Sequence, residues 1–300
     1  MRSWLPGIVA IGLLAMVAGP TRAGRPKPPI TDAEIAQATA AAPAKPSTQP
    51  SAPRRVLICN ASATTHDSAV LAAKAIEILG SKSKAYSAQT TSDPTSFEAD
   101  NLNCFDAVVM NNTTGDPFAS ATEGDPAAAR KRSQRLRQNL LDFVNSGKGL
   151  VGLHAAADCL SDWTEYAPMI GAAYAGRPFT RAVVKIDDPG HPVNAAFGGE
   201  GFEVNDEIYS FRWPYSRQSV RVLLSVDWAK SKLYGGDRPD RDYALSWVKP
   251  QGKGRVFYCA LGHDRKTFLQ PKILRHLLDG IQFALGDLPG PIKPSDAPPK

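Results

Sequence analysis

The stretch GKGLVGLHAAAD, residues 147–158, decides how this chain is read. An apolar run, Leu150 to Leu153, follows Gly149, carries Gly152 within it and stops at His154. Three alanines and an aspartate come next, which predicts a strand, a sharp turn and a helix. In open α/β sheets ligands bind beyond the carboxyl ends of the strands, so a polar residue placed here faces the crevice. His154 is therefore the first candidate for a functional site. A buried histidine bonded to backbone is the other reading of the same position.

Upstream, RRVLIC (54–59) is a β-rich run followed by the polar segment NASATTHD, which contains His66. Residues 67–80 put Val70, Leu71, Ala75, Ile78 and Leu79 on one helical face, with Gly80 read as its stop. KAYS (84–87) is expected to be a second strand, DAVVM (106–110) a third, and 127–145 an amphipathic helix ended by Gly147. Strands alternating with helices predict a parallel sheet covered on both faces. Downstream, residues 182–186, 220–226, 243–248 and 255–261 read as strands joined by loops. A last helix, 271–285, carries Ile273, Leu274, Leu277, Leu278, Ile281 and Leu285 at helical spacing.

His66, His154 and His263 each follow an apolar β run, so a parallel sheet brings all three to its ligand side. Histidine is both a general acid/base and a common divalent-metal ligand. Asp206 and Glu207, in NDEIYSF just before a β-like run, are candidates to join them: carboxylates beside neutral imidazoles make a metal site or an acid/base pair. Trp163 and Tyr209 are candidate platforms for a sugar ring. His191 before Pro192 reads as a turn, and His276 as a residue of the helix core.

Other chemistries are excluded by what is missing. The sequence has no GxSxG elbow, no P-loop and no GxGxxG after the first strand, so no nucleotide cofactor is expected. The net charge of +6 is concentrated in the N-terminal arm, the RKRSQRLR helix face and the tail, without interleaved aromatics, which argues against nucleic acid. With 300 residues and 43% hydrophobic content the chain can bury a sizeable core. Residues 1–23 read as a secretory signal peptide: Arg2, an apolar stretch too short to span a bilayer comfortably, and the TRA cleavage site. The expected location is the bacterial periplasm, with no stable membrane insertion after cleavage. Residues 24–53, rich in Ala and Pro, are expected to be a flexible linker, 54–287 the folded domain, and 288–300 a disordered tail. The four cysteines are expected to be buried free thiols.

GKGLVGLHAAAD, WTEYAPMIGAAY, HPVNAAF, NDEIYSF, VLLSVD and GKGRVFYCALGHD with PKILRHLLDGIQFALGD together resemble the trehalose-utilisation (ThuA-like) family, over about Arg54 to Asp287. The resemblance implies a flavodoxin-like three-layer α/β/α sandwich with a mostly parallel sheet, akin to class I glutamine amidotransferases. Those enzymes carry a cysteine where this chain has His154, so thiol-dependent amide hydrolysis is not expected. It implies breakdown of glycosides or disaccharides, through 3-keto sugars, by a lyase or hydrolase with one divalent metal ion (Zn, Mn or similar). His66, His154 and His263 match the motif histidines, and Asp206 with Glu207 the family's DE pair. Arg177, in AGRPFTR, stands where relatives often carry a histidine, and is expected to touch substrate. Loss of that histidine also leaves open a non-catalytic carbohydrate-binding or envelope-associated module on the same fold.

Overall fold

The computed structural model describes residues 28–64, 66–119 and 125–294. The expected signal peptide lies outside the described residues. In chain order the elements are α1 (Asp32–Ala41), β1 (Arg55–Cys59), α2 (Ala69–Ser83), β2 (Ser87–Thr91), α3 (Ala99–Leu102), β3 (Ala107–Asn111), α4 (Pro126–Asn145) and β4 (Gly149–Leu153). Then follow α5 (Tyr166–Ile170), β5 (Ala173–Ile186), β6 (Phe202–Arg212), β7 (Arg221–Val226), α6 (Trp228–Ser231), β8 (Ala244–Gln251), β9 (Gly254–Cys259) and α7 (Pro271–Ala284).

All nine strands form one sheet in the order β2-β1-β3-β4-β9-β8-β7-β5-β6. β2, β1, β3, β4 and β9 pair in parallel, and each later step to the β6 edge is antiparallel. Two antiparallel steps restore direction, so β7 and β6 also run with the parallel set. The parallel part has the flavodoxin-like order, whose switch point lies between β1 and β3.

Period-2 alternation splits the core between the two faces. Val56 and Ile58 pack with α1, α2 and α7, while Leu57 and Cys59 pack with α4 and α5. On α4, Leu136, Leu140, Phe143 and Val144 form the buried stripe, and Asp125 caps the helix ahead of Pro126. Pro271 opens α7. Among the described residues no helix is long and apolar enough to cross a membrane.

Three expectations about these elements differ from the structure. Gly80 does not stop α2; a Cβ there would meet the Tyr86 ring at 2.5 Å, so glycine admits the buried tyrosine against the helix. Lys84 ends α2 in a left-handed conformation (φ 62°), and the second strand starts only at Ser87. Asp206 and Glu207 lie inside β6 rather than in a loop before it.

The described part of the Ala/Pro-rich segment is not a free linker. Thr31 and Glu34 form a capping box on α1, Ala38 is fully buried, and Lys82 Nζ donates to Thr39 O (2.5 Å) and Ala42 O (2.7 Å) at the helix's carboxyl end. Ser47 N and Thr48 O both bond the Gln282 side chain of α7. Composition understates such a segment because a few polar anchors suffice to dock a short helix.

The tail is likewise held as far as it is described: Leu288 is buried, Pro291 O bonds His191 Nε2 (2.9 Å) and Lys293 O accepts from Arg221 (3.1 Å). The four cysteines are unpaired, with Cys59, Cys159 and Cys259 buried and Cys104 exposed. Burial pushes the Cys59 thiol up to about 11 and that of Cys259 to about 12, which keeps both protonated.

Candidate functional site

Three loops at the carboxyl ends of β1, β4 and β9 deliver His66, His154 and His263 to one point. One ring nitrogen from each lies within 4.8 Å of the others. The imidazole centroids are 5.3 to 5.6 Å apart and the rings meet edge to face. The loops are fastened to one another, since Ser68 Oγ donates to Gly262 O at 2.6 Å.

His154 begins a 3₁₀ turn, His154–Asp158, in a left-handed conformation (φ 46°) that non-glycine residues seldom adopt. Close packing holds it there. Tyr258 Oη donates to His154 O at 2.5 Å, and a Cβ on Gly262 would sit 3.3 Å from His154 Cβ. The ring tautomer follows from its partners. Ala260 O, 2.8 Å from Nδ1, can only accept, so Nδ1 carries the hydrogen and Nε2 the lone pair. Tyr209 then donates its hydroxyl to Nε2 at 2.9 Å.

The long β5–β6 hairpin supplies the rest. Alternation along β6 sends Tyr209 and Phe211 to the α4/α5 face of the core and Ile208 to the other. Glu207 shares the Tyr209 phase and meets the cluster: its Oε2 is 3.3 Å from His263 Nδ1 and 3.6 Å from His154 Nε2. Arg177 on β5 pairs with its other oxygen, Oε1. Burial alone would raise the Glu207 carboxyl, but the neighbouring imidazoles of His154 and His263 and the Arg177 guanidinium outweigh it and hold the group below its ordinary value.

Asp206, one residue earlier, does different work. Its Oδ1 accepts from His263 N (2.9 Å), Asp264 N (3.3 Å) and Glu207 N (2.8 Å), and its Oδ2 from Gly262 N (2.9 Å) and Thr267 Oγ1 (2.6 Å). Only 4% exposed, it has its oxygens filled by the loop that carries His263. Expected among catalytic groups, Asp206 is a positioning residue.

The two aromatic candidates also separate. Tyr209 is 4% exposed, packed between His154 and Tyr174, and meets the site through its hydroxyl rather than as a sugar platform. Burial first, then the Glu207 charge, pushes that hydroxyl's pKa up, so it stays a donor. Trp163 is half-buried against Tyr166, with no imidazole as its ring partner. Arg177, with 59% of its side chain exposed, stands at the mouth. Sequence reasoning passed over Tyr174, Ser68 and Thr267, although Ser68 lies two residues after His66, Thr267 four after His263, and Tyr174 ends WTEYAPMIGAAY.

The donor set fits a borderline divalent ion: three imidazole nitrogens, an ionised carboxylate, and a second-shell bond on His154 Nδ1 that fixes its tautomer. On His154 the Tyr209 hydroxyl competes for the lone pair a metal would use.

A flavodoxin-like α/β sandwich with a histidine-lined cleft at the strand ends is the class of protein these features define. Residues 55–284 match the ThuA family, described as trehalose utilisation, and the chain belongs to that family. Among solved structures, a ThuA-like protein from Bacteroides uniformis superposes with a TM-score of 0.59 at 20% identity, covering 80% of this chain and 94% of its own. One from Parabacteroides merdae gives 0.56 at 19%, covering 79% and 92%. A cytoplasmic protein from Salmonella typhimurium gives 0.54 at 13%, covering 77% and 98%. These likenesses establish the shared fold. No curated protein matches the chain.

Proposed function

We propose that this ThuA-family protein breaks down a glycoside or disaccharide in its 3-keto form, as a lyase or hydrolase, by moving a proton beside the carbonyl. The observation that carries the reading is the convergence of His66, His154, His263 and an ionised Glu207 on one point at the strand ends. A carbonyl at C3 acidifies the C2 proton, and removing it sets up expulsion of the aglycone oxygen from C1. Glu207 is assigned as the acceptor: Arg177 secures Oε1, and Oε2 points at the imidazoles without a hydrogen-bond donor of its own. The departing oxygen then takes the proton from the carboxyl group. His66, His154 and His263 would hold a divalent ion, and the chemistry it would supply there is Lewis-acid stabilisation of negative charge on the carbonyl oxygen. Tyr209 packs against the His154 ring, and the exposed Arg177 guanidinium orients the sugar at the mouth. In this reading residues 1–23 direct the chain to the bacterial periplasm.

The test is turnover of a 3-keto-disaccharide, followed by enone absorbance, alongside elemental analysis of the purified protein. Glu207→Gln and His154→Ala should each lower turnover at least ~100-fold. Full turnover by either variant refutes the assignment. A wild type that binds the sugar without consuming it is instead a carbohydrate-binding module.

A further inference from the structure

The segment that precedes the family match reaches the loops of the site. Arg265, two residues beyond His263, donates Nε to Glu34 Oε1 and Nη2 to Glu34 Oε2, both at 2.7 Å. The same guanidinium donates Nη1 to Asp67 O at 2.7 Å, on the residue after His66. Nη2 also approaches Pro29 O at 3.4 Å. Four-fifths of each side chain of the pair is covered. One planar group therefore joins α1, the β1 loop and the β9 loop, in the two-pronged geometry that only arginine offers a carboxylate.

We propose that α1 is a working part of the site: Glu34 aims the Arg265 guanidinium and thereby sets the spacing of His66 and His263. Without Glu34, Arg265 keeps one strong partner, Asp67 O, and is free to turn about it. The loop that starts at Gly262 is anchored at its base by Asp206 and Thr267. Glu34 and Arg265 anchor its outer end. Both are positioning residues; neither touches the imidazoles. A short helix outside the matched residues 55–284 thus acts on two of the three histidines.

The proposal rests on the histidine cluster being the working site, and its first readout is taken on the imidazoles themselves, so it is judged apart from the sugar chemistry. The chain has five histidines, His66, His154, His191, His263 and His276, few enough for each Cε1–H resonance to be assigned. In the full chain, Glu34→Gln should shift the resonances of His66 and His263 and leave those of His191 and His276 in place. Co²⁺ titrated into the same samples should bind about tenfold more weakly, the low end for losing an outer-shell partner.

Lys82→Met is the control, because it loosens α1 at its other end without touching Arg265. It should leave His66 and His263 unmoved. Unshifted His66 and His263 in a folded Glu34→Gln protein overturn the proposal. So does an equal shift in Lys82→Met, which would make the effect general loosening. If wild type binds no Co²⁺, the metal reading fails while the resonances still decide this one.

Discussion

Adjacent carboxylates with opposite duties make a sharp prediction. Asp206→Asn should unfold the protein more easily, whereas Glu207→Gln should barely affect stability. In the Asp206 variant one carboxylate oxygen becomes an NH₂ that faces donors. The least costly orientation keeps the remaining oxygen at the Oδ1 position, where His263 N, Asp264 N and Glu207 N converge. Thr267 can turn its hydroxyl to accept, but Gly262 N has no such freedom and loses its partner. An orphaned buried N–H costs about 1–3 kcal/mol, and three charge-assisted bonds become weaker neutral ones, so we expect ~3 kcal/mol in all. With a urea m-value of about 3 kcal/mol/M, the midpoint should fall by ~1 M with the slope unchanged. Glu207 pairs with an arginine whose side chain is 59% exposed, and its replacement should change stability by less than ~1 kcal/mol in either direction. Urea denaturation of the two variants at pH 7 decides the matter. An Asp206→Asn midpoint within error of wild type, with Glu207→Gln the unstable one, would refute the division of labour.

Three further outcomes follow, two from buried groups of α7 and one from the site. Burial lowers the His276 pKa to about 4 despite its bond to Val193 O, so the unfolded chain takes a proton that the native one refuses. Stability should therefore rise with pH between about 4 and 6.5. Burial raises Asp279 to about 6 against the opposing influence of Ser47 and Arg275, so its contribution falls with pH over about 4 to 6 and offsets part of the first. Asp279→Asn should thus steepen the acid limb and stabilise the protein by ~1–2 kcal/mol at pH 7, read from midpoints across pH; a variant less stable at pH 7 contradicts this. Tyr209→Phe frees the His154 lone pair, and Co²⁺ affinity should rise about two- to tenfold, the worth of one neutral hydrogen bond. Unchanged or weaker binding in calorimetry would show that Tyr209 does not compete with the ion.

What could be read from the sequence was local. Each strand that delivers a histidine is an apolar run that ends abruptly, and the polar residue beyond it has nowhere to go but the sheet edge. His154 and His263 were visible for that reason, and His66 by its place in the loop after β1. The role of Asp206 was hidden because its donors lie 56 to 61 residues away, apart from the neighbouring Glu207 N. The docking of α1 was hidden for the same reason: Glu34 and Arg265 are 231 residues apart, and between prolines an Ala-rich helix with one buried side chain resembles a tether. Tyr209 was singled out for its ring, yet its hydroxyl is what meets the site, a distinction that depends on which face of β6 is turned inward.

The seam between the two halves of the sheet explains why this cleft needs both. Parallel strands can bring three loops to one edge, but they offer backbone and imidazole there and no negative charge among the buried groups of the cluster. The β5–β6 hairpin, antiparallel and therefore free to run long, places the missing carboxylate over those loops. One face of β6 then braces the histidine loop through Asp206, and the next residue presents Glu207 to the imidazoles. Alternation makes this economy possible, because neighbours on a strand must point opposite ways. Arg177 completes the arrangement from the partner strand. By engaging Oε1 it leaves Oε2 as the oxygen turned toward His263 and His154, so Arg177 aims the carboxylate.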